Sequence, residues 1–422
     1  MVRNMSCELT HKVRSKDDCI ACGYDILTPV LDLGIQPLAN SFKKNQRDFE
    51  DCYPLAVNFC TNCSHLQLSH LVHPDELFKN YIYVSGTSKT QLDYFHWFSD
   101  LVASRIGKNI GRVLDIGCND GSQLNFLKML GFETYGVDPA KNLYHMSSKN
   151  HSVVCDYFND DAVEFDKPFD AIICQNAFAH NYDQLQFLEK CKDVLSDDGL
   201  IFVSISQATM IKNNEFDTIY HEHYSYYTVK SMNALCNRAG LFLVDVVKHC
   251  IHGNTYIFVI SKHNNKSTTV EHMIREENDF GMSESCTYTK YASKAIKIAE
   301  KFKVTIDSMR SIGYMVVGYG SPAKGNTMLN FSGVTLDFIV DDNPLKQGKF
   351  TPGSSVPVVS VDKLDQLSDI EPVCFVPMAW NFFDEIYQKI SKIRNGKATV
   401  YLKYFPEFTY FGKDMKNDEY SL

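Results

Sequence analysis

The chain has 422 residues, enough for two or three domains with cores of their own, and its 44% hydrophobic and 22% charged content is that of an ordinary globular protein. A formal net charge of −9 disfavours a broad nucleic-acid surface but leaves room for a small basic pocket. No apolar run approaches the roughly 20 residues that a membrane helix needs, and MVRNMSCELTHK at the start has no apolar signal core; with fourteen cysteines this points to a reducing compartment, the cytoplasm. The first eighty residues read as short, turn-rich segments gathered around cysteines. From about Leu92 the pattern becomes strands alternating with helices, which predicts an α/β fold with a doubly wound parallel sheet. Its strands are expected at Arg112–Ile116, Glu133–Val137, Ser152–Cys155, Ala171–Gln175 and Gly199–Ser204, closed by an antiparallel pair at Leu241–Lys248 and Asn254–Ser261. A polar linker from His263 to Thr269 and a helix from about Tyr288 to Ser311 follow. A second alternation then starts with Tyr314–Tyr319, Leu336–Val340 and Val373–Pro377.

Two C-x-x-C knuckles, Cys19-Ile20-Ala21-Cys22 and Cys60-Thr61-Asn62-Cys63, stand 37 residues apart. Each presents two thiolates on one tight turn, and together they complete a tetrahedral four-thiolate shell for zinc. An iron–sulfur site and unconnected thiols are the alternatives. A closed shell has no open position for substrate, so the expected metal is structural, while Cys7 and Cys52 have no partner knuckle.

Val113-Leu114-Asp115-Ile116-Gly117-Cys118-Asn119-Asp120-Gly121-Ser122 reads as a buried strand entering a glycine-bearing turn, with a helix expected from Gln123 to Leu130. The next strand ends at Asp138, twenty-one residues beyond Gly117. Glycines let the backbone approach a ligand, and an acid at the tip of the next strand can take both ribose hydroxyls. Dinucleotides and S-adenosylmethionine both use this geometry. The spacing D-x-G-x-x-x-G departs from the G-x-G-x-x-G that seats a pyrophosphate, and Asp115 is a poor neighbour for phosphate. The loop therefore points to a methyltransferase; an ordinary strand–turn–helix corner is the plain alternative.

After the fifth strand comes Phe216-Asp217-Thr218-Ile219-Tyr220-His221-Glu222-His223-Tyr224-Ser225-Tyr226-Tyr227, where segments beyond the strand ends face the ligand crevice. An H-E-x-x-H zinc-protease pattern fails at Ser225. A His221/His223 metal pair and a solvated loop stay open beside proton transfer, for which imidazole is the natural base and a neighbouring carboxylate fixes its tautomer. Asn176-Ala177-Phe178-Ala179-His180 places another histidine at a strand end, and Tyr81-Ile82-Tyr83-Val84-Ser85-Gly86-Thr87-Ser88 joins the cysteine segment to the first helix of the sheet. Further on, Gly318-Tyr319-Gly320-Ser321-Pro322-Ala323-Lys324-Gly325-Asn326-Thr327 follows the strand that opens the last α/β unit. Small residues and a lysine at a strand-to-helix turn suit a phosphate, better one belonging to a substrate than to a free nucleotide cofactor. Asp341-Asp342-Asn343 stands about where a ribose or base partner would; a tight structural turn is the alternative.

In this order the motifs resemble the nucleotide-sugar C-methyltransferases, which add C3 branches to NDP-4-keto-6-deoxyhexoses. The resemblance covers nearly the whole chain: both knuckles with Leu33-Gly34-Ile35-Gln36-Pro37-Leu38-Ala39-Asn40 between them, Asp115-x-Gly117, Asn176…His180, Tyr220-His221-Glu222-His223 and Gly320-Ser321-Pro322-Ala323-Lys324-Gly325. It implies a zinc-binding domain over 1–84, a Rossmann-like S-adenosylmethionine methyltransferase domain over 85–264, and a smaller α/β domain over 265–422 that helps hold the sugar nucleotide. His223 is then the expected base that removes the C3 proton, with Glu222 orienting or polarising the site. Tyr220 and His180 are expected to contact the sugar or relay protons, and Tyr81 or Tyr83 to lie near the keto oxygen. The cofactor set is Asp115, Gly117, Cys118, Asn119, Gly121, Asp138, Pro139 and Asn176. The substrate set is Gly320, Ser321, Pro322, Ala323, Lys324, Gly325, Asn326, Asp342 and Asn343, and the zinc set is Cys19, Cys22, Cys60 and Cys63. One departure is His252-Gly253-Asn254-Thr255, where family members often have a histidine followed by two glycines. The implied enzyme is a cytoplasmic monomer with a small-molecule acceptor and no nucleic-acid or membrane partner. Two other classes stay open. A zinc-containing RNA or small-molecule O- or N-methyltransferase would in its RNA form want a basic face, yet acids outnumber bases in residues 1–80. A non-catalytic nucleotide-binding scaffold would transfer no methyl group.

Overall fold

The computed structural model describes residues 12–78, 84–108, 110–159, 161, 163–207, 209–251, 254–367, 371–394 and 399–412. Tyr81, Tyr83, Cys7, His252 and Gly253 lie outside the described residues. The chain forms two compact units, one of Met1–Val30, Val57–Ala208 and Glu222–Thr287, the other of Leu31–Ala56, Thr209–His221 and Tyr288–Leu422. Among the described residues no helix is long and apolar enough to cross a membrane.

The first unit is built on a seven-stranded sheet of β1 (Arg112–Ile116), β2 (Glu133–Val137), β3 (Ser152–Val154), β4 (Phe169–Gln175), β5 (Leu195–Ile205), β6 (Phe242–His249) and β7 (Thr255–Ser261). Their order across the sheet is β6-β7-β5-β4-β1-β2-β3. β5, β4, β1, β2 and β3 run parallel, and β7 is antiparallel to both its neighbours. Parallel strands covered on both faces read as unbroken apolar runs, as Val113-Leu114 and Ala171-Ile172-Ile173-Cys174 do. One face packs Phe98, Leu124, Leu127, Ile173 and Phe202; the other packs Ile172, Phe187, Leu188, Met232 and Leu235. Each such fully buried side chain contributes about 1.5–3 kcal/mol of transfer free energy. The knuckle cysteines Cys19, Cys60 and Cys63 share that second core, so both knuckles pack with the sheet within the first unit.

Most strands start or end within a residue or two of their expected bounds, and three larger departures have physical reasons. β5 starts at Leu195, not Gly199, because its pairing with β4 shifts between Leu195 and Leu200, and this bulge carries Asp197-Asp198-Gly199 through the strand. The polar stretch at His263–Thr269 runs into a helix, Thr268–Phe280, that burial makes and local polarity hides. Val270 and Met273 enter the core, and buried Glu277 accepts the Val229 and Lys230 N–H groups at 2.7 and 3.2 Å, capping the helix Val229–Arg238. The cysteine-rich segment contains two long strands, Leu27–Pro37 and Cys52–Cys60. Pro29 and Gly34 disguise the first, which lies at the edge of its sheet, where a missing N–H is tolerated.

The second unit carries a six-stranded sheet of β8 (Met315–Tyr319), β9 (Phe338–Val340), β10 (Val358–Val359), β11 (Val373–Pro377), β12 (Thr399–Lys403) and β13 (Thr409–Gly412). The order is β10-β9-β8-β11-β12-β13, parallel except for β13. Strand order reverses beside β8, so the glycine loop after Tyr319 lies at the crevice where open α/β sheets take ligands.

Gly117 tests how strictly the first turn is built. Its φ is +80°, and a Cβ there would stand 2.6 Å from Cβ of Ala177. Gly117→Ala should lose roughly 1–3 kcal/mol in urea unfolding; an unchanged midpoint would mean that the turn relaxes freely.

Candidate active site and metal centre

The four knuckle thiols form the one group of three or more metal-ligating side chains found among the described residues, with all Sγ atoms within 4.8 Å of one another. Cys19 Sγ lies 3.6 Å from Cys63 Sγ, and Cys22 Sγ lies 3.6 Å from Cys60 Sγ. Tetrahedral zinc with Zn–S near 2.3 Å holds its sulfurs about 3.8 Å apart, so the shell has the right size. Hydrogen bonds from Cys19 and Cys63 push the Cys60 thiol down, the contact with Cys60 and burial push Cys19 up, and the contacts with Cys19 and Cys60 push Cys63 up. Without a cation the cluster thus favours one thiolate held by its neighbours; a divalent ion lets all four ionise. The turn around the first knuckle is fixed by Gln67, whose Oε1 accepts from Ile20 N–H at 2.7 Å and whose Nε2 donates to Asp18 O at 3.0 Å. Arg238 Nη1 donates to Ile20 O and Ala21 O at 3.0 and 3.1 Å. Neither residue is marked by the cysteine spacing.

At the carboxyl ends of β1 and β2 the cofactor loop makes three left-handed residues, Gly117, Asn119 and Gly121, with φ of +80°, +51° and +81°. Gly117 N–H donates to Val137 O at 2.8 Å. Asp138 accepts from Asn119 N–H through Oδ2 and from Ala140 N–H through Oδ1, each at 2.8 Å, which aims its carboxylate along the loop beside Pro139. Cys118 is buried, and a Cβ on Gly136 would stand 2.6 Å from its sulfur; Cys118 therefore fills space beneath the loop. Asp115 is 3% exposed; burial, then the charges of Asp138 and Asp120, push its carboxyl up to about 8. Asn176, also left-handed at φ +53°, stands next to Ala177 at the end of β4, and its Oδ1 is buried with no hydrogen-bond partner in the structure. Gly117, Asp138 and Asn176 therefore meet at one end of one sheet.

The same unit places His223 and His180 together. Their ring centroids are 4.8 Å apart, and His180 is stacked on Phe78 at 5.8 Å. Burial pushes the His180 imidazole down to about 4, so it is neutral at physiological pH. The side-chain nitrogen of Gln207 lies 3.1 Å from Nε2 of His223, and both residues are buried. Gln207 follows β5 and is absent from the sequence reading; its place just past a strand end was the available signal. Tyr224 fixes the segment: its N–H donates to Ala179 O at 2.9 Å, its carbonyl accepts from Leu68 N–H at 3.0 Å, and its hydroxyl donates to Val72 O at 2.6 Å. Glu222 is buried beside His223 in the chain. His221 has a different environment in the second unit, donating from Nε2 to Tyr53 O at 3.2 Å, with burial pushing it down to about 4. No group of three or more metal-ligating side chains among the described residues includes either histidine. Tyr220 is half-buried in the second unit.

In that unit, Gly320 has φ +77°, and its N–H donates to Val340 O at 2.7 Å. Cβ atoms on Gly320 and Gly325 would each stand 3.0 Å from Cβ of Ala379 and Met378, so close approach of the β11 loop by itself calls for small residues there. Asp341 holds the turn by accepting from Ser321 N–H and Asn343 N–H at 2.7 and 2.8 Å, and Lys346 Nζ donates to Ser321 O at 2.8 Å. Asp342 accepts from Tyr319 Oη and Lys389 Nζ, at 3.1 and 2.7 Å. Pro322 is the N-cap of the helix Ala323–Ser332, in which Asn326 Nδ2 donates to Ala39 O at 2.7 Å and leaves Oδ1 without a partner; Ser321 Oγ is likewise buried and unpaired. Lys324 Nζ sits 4.9 Å over the Trp380 ring, whose Nε1 donates to Asp217 Oδ2 at 2.7 Å. Asp217 is fully buried; burial pushes its carboxyl up to about 7, offset in part by Lys324. Asp217 was not among the residues singled out for chemistry.

The metal centre carries its own test. Purified chain should hold about one zinc ion by elemental analysis, and Cys60→Ser should lose it together with the protease resistance of residues 12–78. Full zinc content in Cys60→Ser would show that the shell is not the one described.

Comparison with known proteins agrees with this architecture. A zinc binding domain family matches residues 19–78, a methyltransferase domain family 88–246, and a C-methyltransferase C-terminal domain family 251–404. C-methyltransferase NovU of Streptomyces niveus is 30% identical over 390 residues, covering 89% of this chain and 92% of its own length. A methyltransferase of Staphylococcus carnosus is 26% identical over 182 residues, 39% of this chain and 87% of its own. Among solved structures, magnesium protoporphyrin IX methyltransferase of Synechocystis with bound S-adenosylmethionine aligns over 43% of this chain and 88% of its own, at 13% identity and a TM-score of 0.33. With NovU matched over nearly its whole length, the chain belongs to the C-methyltransferase family and is an S-adenosylmethionine-dependent enzyme with a structural zinc site.

Proposed function

We propose that the chain methylates C3 of an NDP-4-keto-6-deoxysugar through an enolate, in branched deoxysugar biosynthesis, acting as a cytoplasmic monomer on a small-molecule acceptor. The observation that carries this reading is His223, buried next to a neutral His180 on the sheet whose strand ends bear Gly117, Asp138 and Asn176. A ketone at C4 acidifies the C3–H bond, and His223 takes that proton while the electron pair moves into the enolate. Imidazole does this near neutral pH, and general-base catalysis contributes about 10²–10⁴-fold. Bound S-adenosylmethionine supplies an electrophilic methyl group for the carbon so activated. Gln207 holds the His223 ring in place, and Glu222 polarises the site. Tyr220, with Tyr81 or Tyr83, is assigned to the sugar and its keto oxygen, where a hydroxyl donor stabilises developing negative charge.

Asp115, Gly117, Cys118, Asn119, Gly121, Asp138, Pro139 and Asn176 are assigned to the cofactor. The loop Gly320–Asn326, with Asp342 and Asn343, is assigned to the nucleotide diphosphate. The unpaired Ser321 Oγ and the start of a ten-residue helix favour an anion. Lys324 has carboxylate neighbours of its own, so its charge is shared. On this reading 1–84 carries zinc, 85–264 the methyl donor and 265–422 the nucleotide.

Incubation with dTDP-, GDP- and CDP-4-keto-6-deoxysugars and S-adenosylmethionine should add one methyl by mass spectrometry. His223→Asn should cut turnover by about 10²–10⁴-fold and abolish solvent deuterium entry at C3, with cofactor binding kept; full turnover in that variant would refute the base assignment.

The raised Asp115 pKa gives a second test. A cation placed against Asp115 favours the carboxylate, so binding the cationic donor releases a proton below pH 8. Affinity for S-adenosylmethionine should therefore rise with pH towards about 8, by up to about tenfold per unit, and Asp115→Asn should flatten the dependence. A slope that survives in Asp115→Asn would place the cation elsewhere.

A further inference from the structure

Residues Ser85–Thr87 form a short 3₁₀ turn ahead of the helix Lys89–Ile106, whose N-cap Ser88 accepts from Gln91 N–H. The turn is docked on the cofactor loop by two hydrogen bonds. Ser85 N–H donates to Asn119 Oδ1, and Gly86 N–H donates to Asp120 Oδ2, each at 3.0 Å. The other oxygen of Asp120 accepts from Ser122 N–H at 3.1 Å, at the start of the helix Ser122–Met129. Asn119 faces both ways: its side chain takes Ser85, while its own N–H holds Asp138. The fit is close. Gly86 has an ordinary φ of −77°, yet a Cβ there would stand 2.2 Å from Ser122 Oγ and 2.6 Å from Asp120 Oδ2. Glycine is needed here for space, not for backbone freedom.

We propose that Asn119 and Asp120 are positioning residues that couple cofactor binding to the chain segment entering at Ser85, making Ser85–Ser88 a strap that tightens when the donor site fills. The inference rests on the assignment of Asp115–Asp138 to S-adenosylmethionine. A ligand that engages Asp138 fixes the carboxylate held by Asn119 N–H. That holds the left-handed turn at Asn119, and the turn in turn presents Oδ1 to Ser85. The coupling needs no movement of the sheet, since each link is a hydrogen bond between adjacent loops.

The test is amide hydrogen exchange on the full chain with and without S-adenosylhomocysteine, with binding measured separately by calorimetry. Ser85 and Gly86 amides should gain at least about tenfold protection on saturation. Gly86→Ala should displace the strap and remove the gain across 85–88 with binding retained. Asn119→Gly keeps a residue suited to positive φ while deleting the acceptor, and should abolish the gain at Ser85 when compared at saturating nucleoside, whatever its own affinity. Equal protection with and without the nucleoside, or an unchanged gain in Asn119→Gly, would overturn the strap. Absence of binding in the wild-type chain would instead overturn the cofactor assignment beneath it.

Discussion

The first unit depends on how Tyr224 is held. Its N–H, its carbonyl and its hydroxyl are each bonded to a different backbone segment, at Ala179, Leu68 and Val72. Its side chain is fully buried, so each of those bonds is made away from competing water, where an unmade one would cost about 1–3 kcal/mol. Leu68 and Val72 follow directly on the second zinc knuckle, and Ala179 precedes His180. One residue thereby fixes His223 relative to the metal segment on one side and the end of β4 on the other. The pairing of Ser225–Tyr226 with Leu66–Gln67 extends the same seam. The zinc knuckle thus has a mechanical part to play: it fastens the strand against which the proposed base is set.

What the sequence disclosed follows from which interactions are local. The parallel strands were legible because burial on both faces leaves no polar residue to interrupt Ala171–Cys174, and the zinc ligands because two cysteines on one tight turn need only a short spacing. The strand Leu27–Pro37 was hidden by Pro29 and Gly34, since single-residue propensity cannot say that a strand will lie at a sheet edge. The helix Thr268–Phe280 was hidden because its buried glutamate reads as solvent-facing until Val229 and Lys230 supply the N–H groups that Glu277 accepts. In the candidate site, motif order brought out Asp115, Gly117, His180 and His223. It could not bring out Gln207, Gln67 or Arg238, whose parts are defined by partners distant in the chain.

The same limit explains His221 and His223. Two residues apart in an irregular turn, they have no periodicity to assign them to faces. The fold separates their tasks by partner: His221 donates to Tyr53 O, and its ring is edge-on to the Tyr53 ring, while His223 lies by Gln207 and His180. Buried carboxyls show a parallel division. Asp341 is consumed in holding the Gly320 turn, whereas Asp217 keeps one oxygen without a partner and answers to Lys324 and Trp380. In the second unit, then, acids that look alike in sequence divide into one that builds the loop and one that sets the charge beside it.

The pairing of two imidazoles is the feature that most narrows the proposed chemistry. A base that accepts a proton in a buried site becomes a cation in a medium where like charges a few ångströms apart repel strongly. With His180 and His223 ring centres 4.8 Å apart, a second charged imidazole would oppose the transfer. Burial solves this by keeping His180 neutral well below physiological pH. His180 then adds no charge of its own beside His223. In the proposed mechanism, a proton taken up by His223 then meets no like charge on its imidazole neighbour. Carbon methylation through an enolate needs such a proton acceptor, whereas transfer to an already nucleophilic nitrogen needs none.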